Sequence, residues 1–273
     1  MDFEAVVVDL DGTLCDDRKI HRKDKRAVSE VIDIDVPVIP ATTRMRYSTS
    51  LILNELDIDR YPLICNNGAR VVGSGWKEYQ SSEDIFNAFL DIDIAQALAA
   101  YTDERGYEIT TIFREKKFWK NRNEHYFEEL DEITEIVDDN LEALEHGAPL
   151  SLMMHSQRNG TYALEDFERY ASDFSKKVRL DRHHRLEKFT TLTLYRKGIS
   201  KKKALDMVCE KLDIPIDKVL AIGDDEVDMS MLRYAGKGIA MGNSPEHVKK
   251  AADDVAPSCE EQGVSWILKK FLI

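Results

Sequence analysis

Short, continuous hydrophobic runs rich in β-branched residues recur near both ends of the chain, each followed by a helical pattern. The first covers residues 5–10, and runs of this kind are typical of strands buried on both faces of a parallel sheet. Further strands are predicted at residues 36–39, 61–65, 219–222 and 238–241. Helices are predicted at residues 25–32, 48–56, 202–212, 228–235 and 245–252. This alternation predicts an α/β fold with a doubly wound, mostly parallel sheet.

The middle of the chain breaks this alternation. The Gly-Ser-Gly sequence at residues 73–75 predicts a hairpin turn between strands at 69–72 and 76–79. An acidic helical pattern follows, and after it come strand-like stretches separated by a further helix. We therefore predict a core domain of residues 1–80 and 197–273, with an α/β domain of residues 81–196 inserted into it.

The composition narrows the range of partners and compartments. The formal net charge is −13, whereas binding to a nucleic-acid backbone needs a cationic face, so nucleic acid is not expected as the main partner. No apolar run approaches the ~18 residues of a membrane helix, and the N-terminus lacks the features of a signal peptide. The four cysteines are scattered, without a Cys-x-x-Cys pair. We expect reduced thiols, a cytoplasmic location and no membrane partner.

The strongest chemical signal is the sequence Asp-Leu-Asp-Gly-Thr at residues 9–13, where the first predicted strand ends. Residues i and i+2 of an extended chain point the same way, so Asp9 and Asp11 can face one pocket. Such a pair can bind Mg²⁺ through oxygen, or divide nucleophilic attack and proton transfer between its members. Gly12 lets the chain turn sharply near an anion. The alternative is a turn with two solvated acids.

Two weaker signals also lie where open α/β sheets bind ligands. Thr42 follows the second predicted strand, and its hydroxyl suits either a phosphate oxygen or the N-terminus of a helix. Lys201 opens a helix together with Lys202 and Lys203. Lysine at that end opposes the helix dipole, so an anion or a carboxylate is expected nearby. The alternative for the three lysines is a solvated patch.

The last signal is the acidic segment Gly-Asp-Asp-Glu-Val-Asp at residues 223–228, directly after a predicted strand. Four acids in five positions repel one another unless a cation lies among them, although an acidic surface turn is the alternative. Carboxylates, a hydroxyl and a lysine are together the groups that phosphoryl transfer requires, because a nucleophile and cations must meet the phosphate.

The order and spacing of these motifs resemble the haloacid dehalogenase (HAD) superfamily, in particular its Cof-type branch with an inserted type IIB cap. Besides the segments at 9–13 and 198–201, the sequences Ile-Cys-Asn-Asn-Gly-Ala at 64–69 and Ala-Met-Gly-Asn-Ser at 240–244 are similar to that branch. The resemblance covers nearly the whole core, and extends to the cap in size and placement. It implies a Mg²⁺-dependent phosphomonoester hydrolase that forms an aspartyl-phosphate intermediate.

By this resemblance, Asp9 is the nucleophile, and Asp11 protonates the leaving oxygen and then activates the hydrolytic water. Thr42 and Lys201 are expected to hold the phosphate. The expected ligands of Mg²⁺ are Asp9, Asp11 through its backbone carbonyl, and Asp224.

The resemblance also implies supporting residues. Asp228 is expected to support the metal or orient the lysine, Asn243 to lie behind the site, and Asp225 to share the metal role if the loop is shifted by one residue. Two positions depart from the branch. Thr43 stands where glycine is usual, and Val227 stands where asparagine is usual, which could alter substrate preference.

The inserted domain is expected to select the leaving group, as lids do in other enzymes. Its candidate substrate contacts are basic and aromatic residues, namely Arg114, Lys117, Trp119 and Arg122. Sugar phosphates, pyridoxal phosphate and flavin mononucleotide all fit as substrates, and a monomer or weak homodimer is expected. The competing hypotheses are a sugar phosphomutase of the same superfamily and a non-catalytic, phosphate-binding regulatory module.

Overall fold

The computed structural model describes residues 3–78, 83–120, 133–185 and 189–273. The chain divides into two compact units, one of residues 1–86 and 200–273 and the other of residues 87–199. The boundaries expected from the sequence, after residues 80 and 196, lie a few residues before those of the structure. The first unit is therefore assembled from two stretches that are far apart in the sequence.

Strands and helices alternate in both stretches of the first unit. The N-terminal stretch contains β1 (Ala5–Val8), α1 (Arg22–Asp33), β2 (Val38–Pro40), α2 (Arg46–Ile52), β3 (Leu63–Cys65), β4 (Arg70–Val72) and β5 (Asp84–Asn87). The second unit contains α3 (Ile92–Arg105), β6 (Ile109–Ile112), β7 (Lys117–Lys120), β8 (Thr134–Val137), β9 (Ser151–His155), α4 (Ser156–Ser172), β10 (Val178–Arg185) and β11 (Phe189–Arg196). The first unit then continues with α5 (Lys201–Leu212), β12 (Val219–Gly223), α6 (Met229–Leu232), β13 (Lys237–Ala240), α7 (Glu246–Lys249), β14 (Asp254–Val255) and α8 (Gly263–Phe271). Across the described parts of both units, no helix has the length and apolar character needed to cross a bilayer.

The main sheet of the first unit is parallel, with the strand order β14-β13-β12-β1-β2. Val6 and Val8 of the interior strand β1 lie in a hydrophobic cluster with residues of α1 and α8. Ala5 and Val7 lie in a second cluster with residues of α5. Because alternate residues of a strand point to opposite faces, the sheet is buried on both sides. The doubly wound α/β fold predicted from the sequence is confirmed.

The segment after β4 differs from the predicted hairpin. Residues 76–78 form a turn, so the second predicted strand at 76–79 is wrong over its described part. The indole N–H of the buried Trp76 donates to the carbonyl of Tyr61 at 2.9 Å, and its own carbonyl accepts a bond from Arg46 at 2.7 Å. These bonds tie the segment to α2 and to the approach to β3. In the small sheet β3-β4-β5, β4 pairs with β3 on one side and with β5 on the other.

The second unit contains a six-stranded sheet with the order β10-β11-β9-β6-β7-β8. Its pairs are antiparallel except for β7 and β8, which are parallel. The helices α3 and α4 cover one face, where Leu98 and Phe167 join a cluster with Leu152 and Leu192 of the sheet. An inserted α/β arrangement of this kind was expected from the sequence.

Asp24, in the first turn of α1, joins this helix to α8 and is fully buried. Its Oδ1 accepts a bond at 2.6 Å from the N–H of Ser265, one of the N–H groups that the first turn of α8 leaves without a partner inside the helix. Among the described residues, Oδ2 has no hydrogen-bond partner. Burial raises the pKa of Asp24 to about 6, and the bond from Ser265 offsets only part of this rise.

We expect Asp24→Asn to raise the free energy of unfolding at pH 7 by about 1–2 kcal/mol. The variant no longer buries a charge, which is worth about 1.4 kcal/mol for each unit by which the pKa is raised, but burial of the polar amide group costs part of this gain. The native pKa of about 6 exceeds the unfolded value of 3.8, so the wild type loses stability from this group as the pH rises between those values. Urea unfolding at several pH values measures the difference in stability between the variant and the wild type, which should vanish near pH 3.8. The matched control is Asp33→Asn at the exposed end of α1. If Asp24→Asn raised the free energy of unfolding by the same amount at every pH, this explanation would be contradicted.

Candidate active site

The carboxyl ends of β1 and β12 bring two acidic segments together. Val8 pairs with Ile222 in these parallel strands, and the N–H of Asp9 donates to the carbonyl of Ile222 at 2.9 Å. The residues that follow both strands therefore leave the same edge of the sheet. Carboxylate oxygens of Asp9, Asp224 and Asp228 lie within 4.8 Å of one another, and this acidic triad could hold a metal ion.

Lys201 supplies positive charge inside the acidic triad. Its Nζ donates to Oδ1 of Asp9 at 2.5 Å and to Oδ1 of Asp228 at 2.6 Å, and its side chain is fully buried. The next two lysines point elsewhere, because an α-helix turns by ~100° per residue. Lys202 lies over a tyrosine ring, and Lys203 is half-exposed. Only one of the three lysines therefore contacts the triad.

The charges in the triad do not balance. Burial raises the pKa of Asp9 well above its ordinary value, with Asp228 and Asp224 adding to the rise and Lys201 opposing it. Burial and Asp228 raise the pKa of Asp224 to about 7. Burial by itself lowers the pKa of Lys201, but Asp228 and Asp9 hold it above its ordinary value. Three carboxylates share one ammonium group, so a divalent cation that prefers oxygen ligands fits the remaining charge.

Asp228 also holds the loop that carries Asp224. Its Oδ2 accepts bonds from the N–H groups of Asp224 and Asp225, each at 3.1 Å. Oδ1 of Asp225 accepts a bond at 2.7 Å from the N–H of Glu226, and this carboxylate caps the short 3₁₀ turn Glu226–Asp228. Asp225 therefore lies outside the triad. Val227, where the branch usually has asparagine, lies within the same turn and is partly exposed.

Two polar residues fix the carboxylate of Asp224 from the other side. The hydroxyl of Thr13 donates to its Oδ1 at 2.7 Å. Nδ2 of Asn243 donates to the carbonyl of Gly12 at 2.8 Å and lies 3.4 Å from Oδ2 of Asp224. Asn243 thus links the loops after β1, β12 and β13, without belonging to the triad.

The side chain of Asp11 pairs with Arg44. Nε of Arg44 donates to Oδ2 at 2.7 Å, and Nη2 donates to Oδ1 at 2.5 Å. This pairing leaves the backbone carbonyl of Asp11 for the metal contact expected from the sequence. No role was predicted for Arg44, and its position two residues after Thr42 was the one available signal.

Thr42 is fully buried near the start of the loop between β2 and α2. Its Oγ1 accepts a bond from the N–H of Arg44 at 3.1 Å, and its hydroxyl proton can still be donated to a ligand. The alternative role for Thr42, as a helix cap, does not apply to α2, because Met45 occupies the N-cap position of that helix. Thr43, where the branch usually has glycine, is partly exposed beside it.

A turn at residues 66–68 supports this loop and the helix of Lys201. Asn66, Asn67 and Gly68 all have left-handed backbone conformations, with φ of 50°, 54° and 87°. The N–H groups of the two asparagines donate to the carbonyls of Arg44 and Thr42 at 2.9 and 3.0 Å. A Cβ at Gly68 would lie 2.4 Å from a backbone oxygen at the start of α5. Glycine is therefore required for this close approach.

The candidate substrate contacts belong to the second unit. Lys117 and Trp119 lie two residues apart on β7 and point to the same face of the sheet. Trp119 is buried and Lys117 is partly exposed. Arg114 is exposed between β6 and β7. Arg122 lies outside the described residues.

A sequence profile described as haloacid dehalogenase-like hydrolase matches residues 6–268. The chain belongs to this family. The membership predicted from the motifs is thereby confirmed. A 5-amino-6-(5-phospho-D-ribitylamino)uracil phosphatase of Bacillus subtilis, YitU, is 25% identical over 275 residues, with 97% of this chain and 96% of the relative covered.

Solved structures of the family have the same fold. A haloacid dehalogenase-like hydrolase from Bacteroides thetaiotaomicron is similar with a TM-score of 0.83 and 23% identity, over 98% of this chain and 99% of that chain. A HAD subclass IIB sugar phosphatase is similar with a TM-score of 0.78 and 22% identity, over 98% of each chain. The enzyme class predicted from the sequence, a HAD-family phosphatase, is confirmed by the family match and the named relatives.

We expect Gly12→Ala to lower phosphatase activity on the order of 10²-fold, because misplacing a group by about 1 Å at a reacting centre has an effect of that size. A Cβ at Gly12 would lie 2.3 Å from Oδ2 of Asp224, so the triad must shift. Gly198→Ala is the matched control, since its φ of 84° is close to the 82° of Gly12 but its Cβ would meet nothing within 4 Å. Both variants should lose about 1–2 kcal/mol of stability through left-handed strain. Thermal unfolding and steady-state kinetics separate the two effects, and equal activities would refute the steric explanation.

Proposed function

We propose that this protein is a Mg²⁺-dependent phosphomonoester hydrolase that acts on a small phosphorylated metabolite through an aspartyl-phosphate intermediate. The observation that carries the proposal is the contact of Lys201 with Asp9 and Asp228, the two buried members of the acidic triad. Such a site combines a carboxylate nucleophile with a cation that can stabilise phosphate oxygens. The site lies at the carboxyl ends of parallel strands, where α/β sheets bind ligands.

In the proposed first step, a carboxylate oxygen of Asp9 attacks phosphorus while the bond from phosphorus to the leaving oxygen breaks. Asp11 gives a proton to that oxygen, and an alcohol departs. In the second step, Asp11 takes a proton from water as the water oxygen attacks phosphorus. The bond from phosphorus to Asp9 then breaks and inorganic phosphate leaves. With 35% of its side chain exposed, Asp11 has the access to solvent that this exchange requires.

Lys201 and Thr42 are proposed to hold the phosphate. Nζ of Lys201 contacts the proposed nucleophile, so a phosphate that Asp9 can attack arrives within reach of the ammonium group. The hydroxyl of Thr42 is held by the N–H of Arg44, which restricts where its proton can point. In this proposal, Lys201 supplies a positive charge to the phosphate and Thr42 supplies a hydrogen bond.

The residues proposed to hold Mg²⁺ are Asp9, Asp224 and the backbone carbonyl of Asp11. All three donate oxygen, which this cation prefers, and the excess charge of the triad supports a divalent ion. When bound, Mg²⁺ supplies positive charge to the phosphate oxygens and relieves repulsion between the carboxylates. Asp228 supports the arrangement through Lys201 and the Asp224 loop, while Asp225 caps its own turn.

The proposed substrate class is that of sugar phosphates and related polyol phosphates. One relative is named for a phosphoribityl compound, and one structural neighbour is described as a sugar phosphatase. Both names describe a phosphate ester on a chain with several hydroxyl groups. We propose that the second unit selects the leaving group, with Arg114, Lys117 and Trp119 as candidate contacts.

We expect Asp9→Asn to lower turnover by ~10³-fold or more, because the amide cannot form the acyl phosphate and loss of a nucleophile has effects of this size. Stability should rise slightly, since one buried like charge disappears. Release of inorganic phosphate and thermal unfolding measure the two effects.

The control for Asp9→Asn is Asp16→Asn, an exposed aspartate of the same loop, which should keep wild-type turnover. Chelation of divalent cations should abolish activity of the wild type, and added Mg²⁺ should restore it. More than a few per cent of activity in Asp9→Asn, or full activity after exhaustive chelation, would overturn the mechanism.

Lys201→Ala should lower kcat on the order of 10²-fold and raise KM, because an anionic substrate would then face carboxylates without their ammonium partner. Lys202→Ala and Lys203→Ala are matched controls on the same helical turn, and neither residue contacts the triad. Both should stay near wild type, since exposed charges contribute little. A larger defect in either control than in Lys201→Ala would require a different phosphate-binding residue.

A further inference from the structure

Asp11 is more exposed than Asp9, and Arg44 holds its carboxylate. Its side chain is 35% exposed, against 8% for Asp9. Nε and Nη2 of Arg44 donate to the two oxygens of Asp11 at 2.7 and 2.5 Å. Such a two-point contact fixes the position and the plane of a carboxylate, which one hydrogen bond does not.

The backbone of Arg44 is itself held on both sides. Its N–H donates to Oγ1 of Thr42 at 3.1 Å, and its carbonyl accepts a bond from the N–H of Asn66 at 2.9 Å. Asn66 begins the left-handed turn that also packs against the start of α5. The guanidinium group therefore projects from a fixed point of the first unit, and its side chain is only 16% exposed.

We propose that Arg44 is a positioning residue, which holds the carboxylate of Asp11 where it exchanges protons with the leaving oxygen and with water. This inference rests on the proposed function, in which Asp11 is the general acid and base. The guanidinium group stays charged and transfers no proton. The proton passes from Asp11 to the leaving oxygen as the phosphorus–oxygen bond breaks. The alternative role is direct binding of the phosphate by Arg44, and a comparison of leaving groups together with a double-mutant cycle distinguishes the two roles.

The first test compares two leaving groups in the Arg44→Met variant. Glycerol phosphate leaves as a strongly basic alkoxide that needs protonation, whereas para-nitrophenyl phosphate leaves as a weakly basic phenolate that needs little. Single-turnover release of the leaving group reports the first step alone. We expect a loss on the order of 10²-fold with glycerol phosphate, a much smaller loss with para-nitrophenyl phosphate, and little change in KM. A purely structural role would lower both rates equally.

The second test is a double-mutant cycle with Asp11→Asn. If Arg44 acts through Asp11, Arg44→Met should cost little more in the Asp11→Asn background. Arg44→Lys keeps the charge without the two-point geometry, and should show a smaller loss of the same kind. Arg26→Met is the matched control, because Arg26 forms an exposed pair with Glu30 on α1 and should keep wild-type rates.

Equal losses with both leaving groups would overturn the proposal. Additive effects in the cycle together with a raised KM would overturn it in favour of phosphate binding. Circular dichroism and thermal unfolding show whether each variant is folded. If Arg44→Met does not fold, the two leaving groups are compared in Arg44→Lys. A loss of rate with glycerol phosphate alone then supports the proposal, and an equal loss of rate with both substrates overturns it. Failure of the proposed function would look different, because Asp9→Asn would then remain active on both substrates.

Discussion

Lys201 lies among three carboxylates that repel one another, two of them buried, and the geometry of the site depends on this contact. Its ammonium group touches Asp9 at the end of β1 and Asp228 in the loop after β12. Asp228 uses its second oxygen to hold the backbone of that loop, so one lysine fixes the strand end and the loop together. A buried carboxylate without such a partner is costly, and the pair is kept because each charge needs the other.

Close backbone approaches make this contact possible. Gly68 lets the turn at 66–68 pack against the start of α5, directly before Lys201. The same turn binds the carbonyls of Thr42 and Arg44. Gly12 leaves room for Asp224. Side chains that differ in chemistry are thus placed by backbone contacts that tolerate little change, as pre-organised sites require.

Much of this arrangement could be predicted, because strand order and strand ends follow from hydrophobic patterning. The parallel sheet and the family membership are confirmed, and the roles of Asp9, Asp224 and Lys201 stay predictions that their geometry supports. Arg44 escaped prediction because its direction depends on a left-handed turn more than twenty residues later in the chain. The wrong hairpin strand has a similar cause, since the bonds of Trp76 are tertiary.

The composite origin of the first unit has a consequence for biosynthesis. Asp9 and Lys201 are 192 residues apart, and β1 finds its neighbour β12 only after the second unit has been translated. Contacts of such long range are slow to form, because a long loop must close first. A nascent chain therefore contains Asp9, the proposed nucleophile, well before Lys201 and Asp228 have been synthesised. The contact between Asp9 and Lys201 can form only after the whole second unit has been translated.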